Sequence, residues 1–281
     1  MPRRHKITVP IDTCQFSPTQ LQPATALRFG MMGLAGTIRN QLVDWHLLKT
    51  EFRTTVVIAG VALDYLRPFQ FFSAAELEID SGLVARRGGK FLELECRLRA
   101  AEGEVARLAM LTRPVRLSGS EALDATPTDL SEPLLRRFQT DERDDGSIVR
   151  PLPARLEGFV SRGTLVAEGS TSFFVSRSDC EIADQWQNVR LPDWLASGRE
   201  RLILHQADPL LTVGLREPMT RFLAEFRRPM FFGDEGVLRT RVYQHRAILA
   251  FVHEITCALP SVAEARRPLC AIGIEEFALK N

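Results

Sequence analysis

A chain of 281 residues with 45% hydrophobic and 25% charged side chains can bury one large core or two of ordinary size, in the manner of a soluble globular protein. A formal net charge of +1 gives no global field toward nucleic acid or an anionic membrane, and no apolar run reaches the length of a membrane span. The five cysteines, at 14, 96, 180, 257 and 270, form no CxxC pair and no metal-type spacing, so they read as reduced thiols of a cytoplasmic protein.

The opening "MPRRHKITVPID" is basic but has no apolar h-region behind it. It reads as a basic cap on a first strand, not as a secretory signal. In "GTIRNQLVDWHLLKTEF", Ile38, Leu42, Trp45 and Leu48 fall near helical spacing and make one apolar stripe. After "YLRPFQFF" at 65–72 come the strand-like runs "AELEIDSGLVAR", "KFLELECRLRA" and "EVARLAMLTRPVRL". "FLELECRL" alternates apolar and polar residues, the period of a half-buried strand. "RRGGK" between two of these runs signals a hairpin.

From about Ser118 to Pro153 the apolar spacing fades and Pro, Gly and charge accumulate. This is a linker with one short helix around Glu132–Phe138 and a solvated charge run, "DERDD". Beyond it the elements return. "PDWLASGRERLILH" is a candidate helix with Pro192 in its first turn, where the missing N–H costs nothing, and with Gly198 weakening it. "FRRPMFFGD" at 226–234 and three more strand-like runs follow, "GVLRTRVYQH", "ILAFVHEITCAL" and "PLCAIGIEEFAL".

The two flanks of the linker thus share an order: a D-W pair, an Arg-Pro with aromatics, then long strands. Duplication of one α+β unit is the simplest account. The expected division is residues 1–117, a linker 118–155, and residues 156–281.

The stretch "SFFVSRSDCEIADQWQNVRLPDW" makes the comparison more specific. It resembles the entry loop of hotdog-fold thioesterases of the 4-hydroxybenzoyl-CoA thioesterase type, with Asp179 and Glu181 at the two acids, Asn188 before the helix and Trp194 on it. "FRRPMFFGDEGVLRTRV" resembles the family's next strand. Asp184-Gln185 stand where Gly-His is common, Leu191 where Tyr is common, and Glu181 where Asp is usual. In the first half, "RFGMMGLAGTIRNQLVDW" is the apparent counterpart, with Gly30-Met31-Met32-Gly33 in place of the acids. The resemblance implies an α+β double hotdog: two curved antiparallel sheets, each wrapped around a central helix, packed as an intrachain pseudo-dimer whose first half has lost its acidic residues.

It also implies an activity. In such enzymes a loop carboxylate attacks the thioester or activates a water, while a helix N-terminus holds the carbonyl through backbone N–H groups. A partly desolvated carboxylate can act as base or nucleophile because its pKa is raised. Glu181 is the first candidate for that role and Asp179 the second; the competing reading is an acidic surface turn with Asp179 as a local cap. Gln185 and Asn188 are placed to orient water or carbonyl. Trp186, Tyr65 and Arg67 are further substrate-binding candidates, against the plainer reading that the aromatics are packing residues. His46 is a poor partner for Glu181, and no metal or phosphate loop is indicated.

The expected function is hydrolysis of an acyl thioester carried on coenzyme A or on the phosphopantetheine of an acyl carrier protein, with no further cofactor, in polyketide or lipid-type biosynthesis. The alternatives are dehydration, conjugate addition or acyl transfer on a carrier-bound chain, or non-catalytic acyl binding. Arg86-Arg87, Arg227-Arg228 and Arg266-Arg267 are candidate phosphate or carrier contacts. Acyl-CoA or acyl carrier protein is the expected partner, with no nucleic acid and no membrane, and a homo-oligomer of double-hotdog units is allowed.

Overall fold

The computed structural model describes residues 4–117, 125–138, 143–144, 150–181, 184–258 and 267–280. The chain divides into two compact units. Unit 1 takes Met1–Phe16 and Thr25–Val149, and unit 2 takes Ser17–Ala24 and Arg150–Asn281.

Unit 1 runs β1 (Arg4–Pro10), a 3-10 turn (Thr13–Gln15), α1 (Pro23–Thr37), α2 (Trp45–Thr50), β2 (Thr54–Tyr65), β3 (Glu76–Arg86), β4 (Phe91–Ala100) and β5 (Gly103–Leu117). Short strands β6 (Ala125–Pro127) and β7 (Arg143–Asp144) pair with β5 and β3, and α3 (Glu132–Leu135) lies between them in sequence. Unit 2 runs α4 (Pro151–Arg162), β8 (Thr164–Phe174), a 3-10 turn (Arg177–Asp179), α5 (Leu191–Gln206), α6 (Val213–Arg216), β9 (Met219–Phe226), β10 (Glu235–His245), β11 (Ile248–Cys257) and β12 (Leu269–Ala278).

The duplication is visible in the pairing. Unit 1 is ordered β1-β3-β4-β5-β2 and unit 2 is ordered β8-β10-β11-β12-β9, all antiparallel. In each unit the strand before the helix pairs with the second strand after it, and the strand directly after the helix lies beside the last. The β3–β4 hairpin closes at Arg87–Gly89, where the sequence signals it, with Gly88 at φ 63° and Gly89 at φ 93°. β4 alternates as expected: Leu92, Leu94, Cys96 and Leu98 are buried while Glu95 and Arg97 are exposed.

Each unit also lays a helix against its sheet, and a mid-helix glycine sets the approach. A Cβ on Gly30 of α1 would run into the Leu108 side chain of β5. One on Gly198 of α5 would run into Leu238 of β10. The propensity cost of Gly198, about 1 kcal/mol, is offset by that close contact.

Several expectations change. The apolar stripe at 38–48 is not one helix. The first helix ends in a π turn at Ile38–Leu42, and a new one starts where the Asp44 carboxylate accepts the His46 N–H at 2.7 Å. "FGMMGLAG" is no loop either; it lies inside α1, whose stripe was hidden by its glycines. The stretch read as linker holds α3 near its expected place, but also β6, β7 and the start of α4, which Pro151 opens. Of "DERDD" only Arg143 and Asp144 lie within the described residues, and Arg266 lies outside them. Among the described residues no helix is long and apolar enough to cross a membrane.

Candidate active site

The chain leaves β8 and closes a reciprocal cap. The Ser176 N–H donates to Asp179 Oδ2 at 3.0 Å, and the Ser176 hydroxyl donates to the same oxygen. The other carboxylate oxygen of Asp179 lies 3.5 Å from the Arg190 guanidinium. Its backbone carbonyl accepts the Gln187 N–H at 2.8 Å. Asp179 is only 7% exposed and both of its oxygens are committed. It is a buried cap that shapes the loop, not part of an exposed turn.

Glu181 differs. Its backbone opens a tight turn: the Asp184 N–H donates to the Glu181 carbonyl at 3.1 Å, and the Glu181 N–H donates to the Gln185 carbonyl at 2.8 Å. Asp184 takes φ 54° to close it. Glu181 is exposed, and among the described residues no hydrogen bond or ion pair holds its carboxylate. Partial desolvation by the surrounding loop nonetheless raises its pKa above the usual glutamate value. The two acids thus have separate roles set by environment, one spent on structure and one uncommitted.

The far wall of the loop is the β9–β10 connection. The Trp186 N–H donates to the Met230 carbonyl at 2.9 Å, the Phe232 N–H to the Asp184 carbonyl at 2.9 Å, and the Gly233 N–H to the Val175 carbonyl at 3.0 Å. Gly233 makes this turn at φ 91°. "SDCEIADQWQN" and "RRPMFFGD", read separately in the sequence, are therefore one hydrogen-bonded structure. Arg177 pairs with Asp184 and lies 4.3 Å over the Phe232 ring, and Phe174 and Phe232, 54% and 47% exposed, form an apolar rim beside it.

Trp186 is buried at 2% exposure, its ring centre 5.2 Å from that of Trp194 in a tilted contact and 6.5 Å from that of Phe226 edge-on, so it is a packing residue here. Trp194 is half-buried against Phe173 at 4.7 Å. Gln185 is half-buried and bridges Phe231 through its backbone. Asn188 starts a second 3-10 turn, Asn188–Arg190, that leads into α5. Arg190, which the sequence did not single out, ties Asp179 to Asp193 of α5 at 2.9 Å. Its only sequence signal is its place between two acids. Tyr65 and Arg67 belong to unit 1: Tyr65 ends β2 opposite Ala106, and Arg67 pairs with Glu102 at 2.9 Å. The loop of unit 2 contains neither.

Of the arginine pairs, Arg86 is bound to Glu93 at 2.8 Å and Arg227 to Glu225 at 2.6 Å, while Arg87 and Arg228 are exposed. His46 is exposed on α2 of unit 1. The histidine–acid pair in unit 2 is one the sequence did not point to: His253 Nε2 lies 3.2 Å from Glu275 Oε2, and both side chains are buried in the core. Among the described residues no group of three or more His, Cys, Asp or Glu side chains is placed to hold a metal ion. Burial pushes the thiols of Cys96 and Cys270 up to about 12 and about 11, which removes them as nucleophiles near neutral pH.

No family model and no curated protein matches the sequence. Solved structures do. A protein from Lactobacillus plantarum assigned as an oleoyl thioesterase matches with a TM-score of 0.72 at 12% identity, covering 100% of this chain and 98% of that one. An acyl-ACP thioesterase from Bacteroides thetaiotaomicron matches at 0.67 and 11% identity, covering 98% and 97%. A 12:0-ACP thioesterase from Umbellularia californica matches at 0.69 and 11% identity, covering 99% and 94%. The chain therefore has the α+β double-hotdog fold of these structures over its whole length.

Proposed function

We propose that the protein is an acyl-thioester hydrolase and that Glu181 is its base. The observation that carries the reading is Glu181 itself: an uncommitted carboxylate of raised pKa on a loop braced from both sides. The fold supports it, because structures of this architecture include acyl-ACP thioesterases. Asp179 and Arg190 support it too, by pinning the loop to the start of α5.

In the proposed step the deprotonated Glu181 takes a proton from water as the water oxygen bonds to the thioester carbonyl carbon. Backbone donors hold the resulting oxyanion. Collapse of the intermediate breaks the C–S bond, and the thiolate leaves and takes up the proton, giving a free acid and a thiol. The alternative dehydratase reading needs a histidine facing an acid in an open site, whereas the His253–Glu275 pair is buried. Coenzyme A and acyl carrier protein both remain proposed carriers, with Arg228, exposed beside the loop wall, as a candidate contact for an anionic carrier group. A cytoplasmic location belongs to the same proposal.

The test is to incubate the protein with short, medium and aromatic acyl-CoAs and acyl carrier proteins and to follow free thiol. Release that disappears in Glu181→Gln supports the proposal. Full activity in that variant, or no release from any carrier, sinks it.

A further inference from the structure

A cleft of about 330 Å³ opens within unit 2 on the face of α5, and none of its lining residues belongs to the loop 175–190. One wall is the segment Ser17–Pro23 and another is α5 from Pro192 to Glu200; Glu275 and Phe277 of β12 also line it. The Ser17 segment holds a telling place in the repeat. Gln15 completes the cap of the first 3-10 turn as Asp179 completes the second, and Ser17 follows Gln15 by two residues as Glu181 follows Asp179. The cleft is walled by the first repeat's version of the acid-bearing segment, which packs as part of unit 2.

Its chemistry asks for a donor. Gln20 is 3% exposed, lines the cleft, and its Oε1 accepts no hydrogen bond among the described residues. Four carboxylates line the space, those of Asp193, Glu200, Glu217 and Glu275. Arg190 answers Asp193 at 2.9 Å and Lys280 answers Glu217 at 2.6 Å. Arg199 has to serve both others: it is bound directly to Glu275, and stands 3.7 Å from Glu200. Glu200 is exposed, and its nearest cation is already engaged by Glu275, so it is the least compensated of the four carboxylates. Around these groups, Pro18, Leu215, Met219 and Phe277 give apolar surface.

We propose that this cleft is a binding site for a small amphipathic monocation, an apolar body with a primary ammonium head. The head donates to Gln20 Oε1 with Glu200 supplying the countercharge, and the body lies on Met219 and Phe277. This assignment stands apart from thioester hydrolysis at Glu181 and does not depend on it.

The test is calorimetric titration of the full chain at pH 8 with benzylamine, benzyl alcohol and benzoate. Benzylamine is expected to bind about five- to tenfold tighter than benzyl alcohol, and benzoate weakest. Glu200→Gln and, independently, Gln20→Met should each weaken benzylamine by a similar factor with an unchanged melting temperature, while Glu181→Gln should bind it as the unaltered protein does. Equal affinity for the alcohol or the carboxylate overturns the proposal. So does absence of benzylamine binding at millimolar concentration, or undiminished affinity in both cleft variants.

Discussion

The segment between first strand and helix exists twice in this protein, and the copies have diverged in what they spend their polar groups on. In unit 1, Asp12 caps a 3-10 turn through the Cys14 N–H at 2.8 Å, and Gln15 returns the bond to the Asp12 N–H at 3.2 Å. In unit 2, Ser176 and Asp179 make the same reciprocal cap, but the acid now sits at the far end, buried and tied to Arg190. Past the cap the first copy reaches Pro23 of α1 directly. The second is longer and uses its extra residues to fold the Glu181–Gln185 turn against Met230–Asp234. The same turn grammar thus yields a short neutral wall in one place and a braced carboxylate in the other. Acidity alone does not make chemistry; what matters is an acid left over once the turn's own hydrogen bonds are satisfied.

Breaking the second copy should have the largest effect. Glu181→Gln should lower thioester turnover by about 10²- to 10⁴-fold with an unchanged circular dichroism spectrum, the range expected when a general base is removed. Because partial desolvation raises the Glu181 pKa, the deprotonated base is lost as pH falls through that raised value. The acid limb of kcat/KM should therefore lie above the ordinary glutamate value, and a limb below it would argue against this base.

Glu275 tests the core that α5 rests on. Arg199 and His253 hold its carboxyl below the ordinary value despite full burial. Glu275→Ala should cost about 3–5 kcal/mol in denaturant titration, since it leaves Arg199 buried without its counter-ion. A lowered folded-state pKa gives stability that is complete above the unfolded glutamate value and is lost as pH falls through the folded value. Acid unfolding should thus begin below the unfolded glutamate pKa, and Glu275→Gln should flatten it.

The two caps can be compared directly. Asp179→Ala should cost about 1–3 kcal/mol and lower turnover as well, because it frees the loop that carries Glu181. Asp12→Ala, at an exposed turn, should cost about 1 kcal/mol at most and leave turnover alone. Equal losses of activity would erase the distinction between the copies. The smallest effect concerns the thiols: an alkylating reagent at neutral pH should modify exposed Cys14 quickly and Cys96 and Cys270 only on unfolding.

Much of the fold was legible because it rests on local periodicity. The alternation of "FLELECRL", the "RRGGK" hairpin and the α5 segment opened by Pro192 each came out where the residues placed them. The first helix did not, because Gly30, Gly33 and Gly36 read as a loop. They lie on the helix face that meets Leu108, Ser81 and His5, and a glycine that admits a neighbouring strand looks in sequence like a glycine that ends a helix. The first repeat's counterpart of the acid loop is therefore residues 11–22, not the residues 28–45 that the glycines suggest. The acids themselves and their order are legible in the sequence, but the partners that commit Asp179 and brace the Glu181 turn include residues far off in sequence.

Composition, alternation and the repeated order of elements by themselves determined that the chain is an α+β duplication with an acid-bearing loop before its second central helix. Those are properties of short windows, and short windows carry them. Which of the two acids is free was decided only by tertiary structure. Asp179 is committed by Ser176 and by Arg190, eleven residues on, while the turn that presents Glu181 is held by a strand connection some fifty residues away. The cleft on α5 is of the same kind: Gln20, Glu200 and Glu275 meet only when the chain is folded, so no spacing along the sequence could announce it.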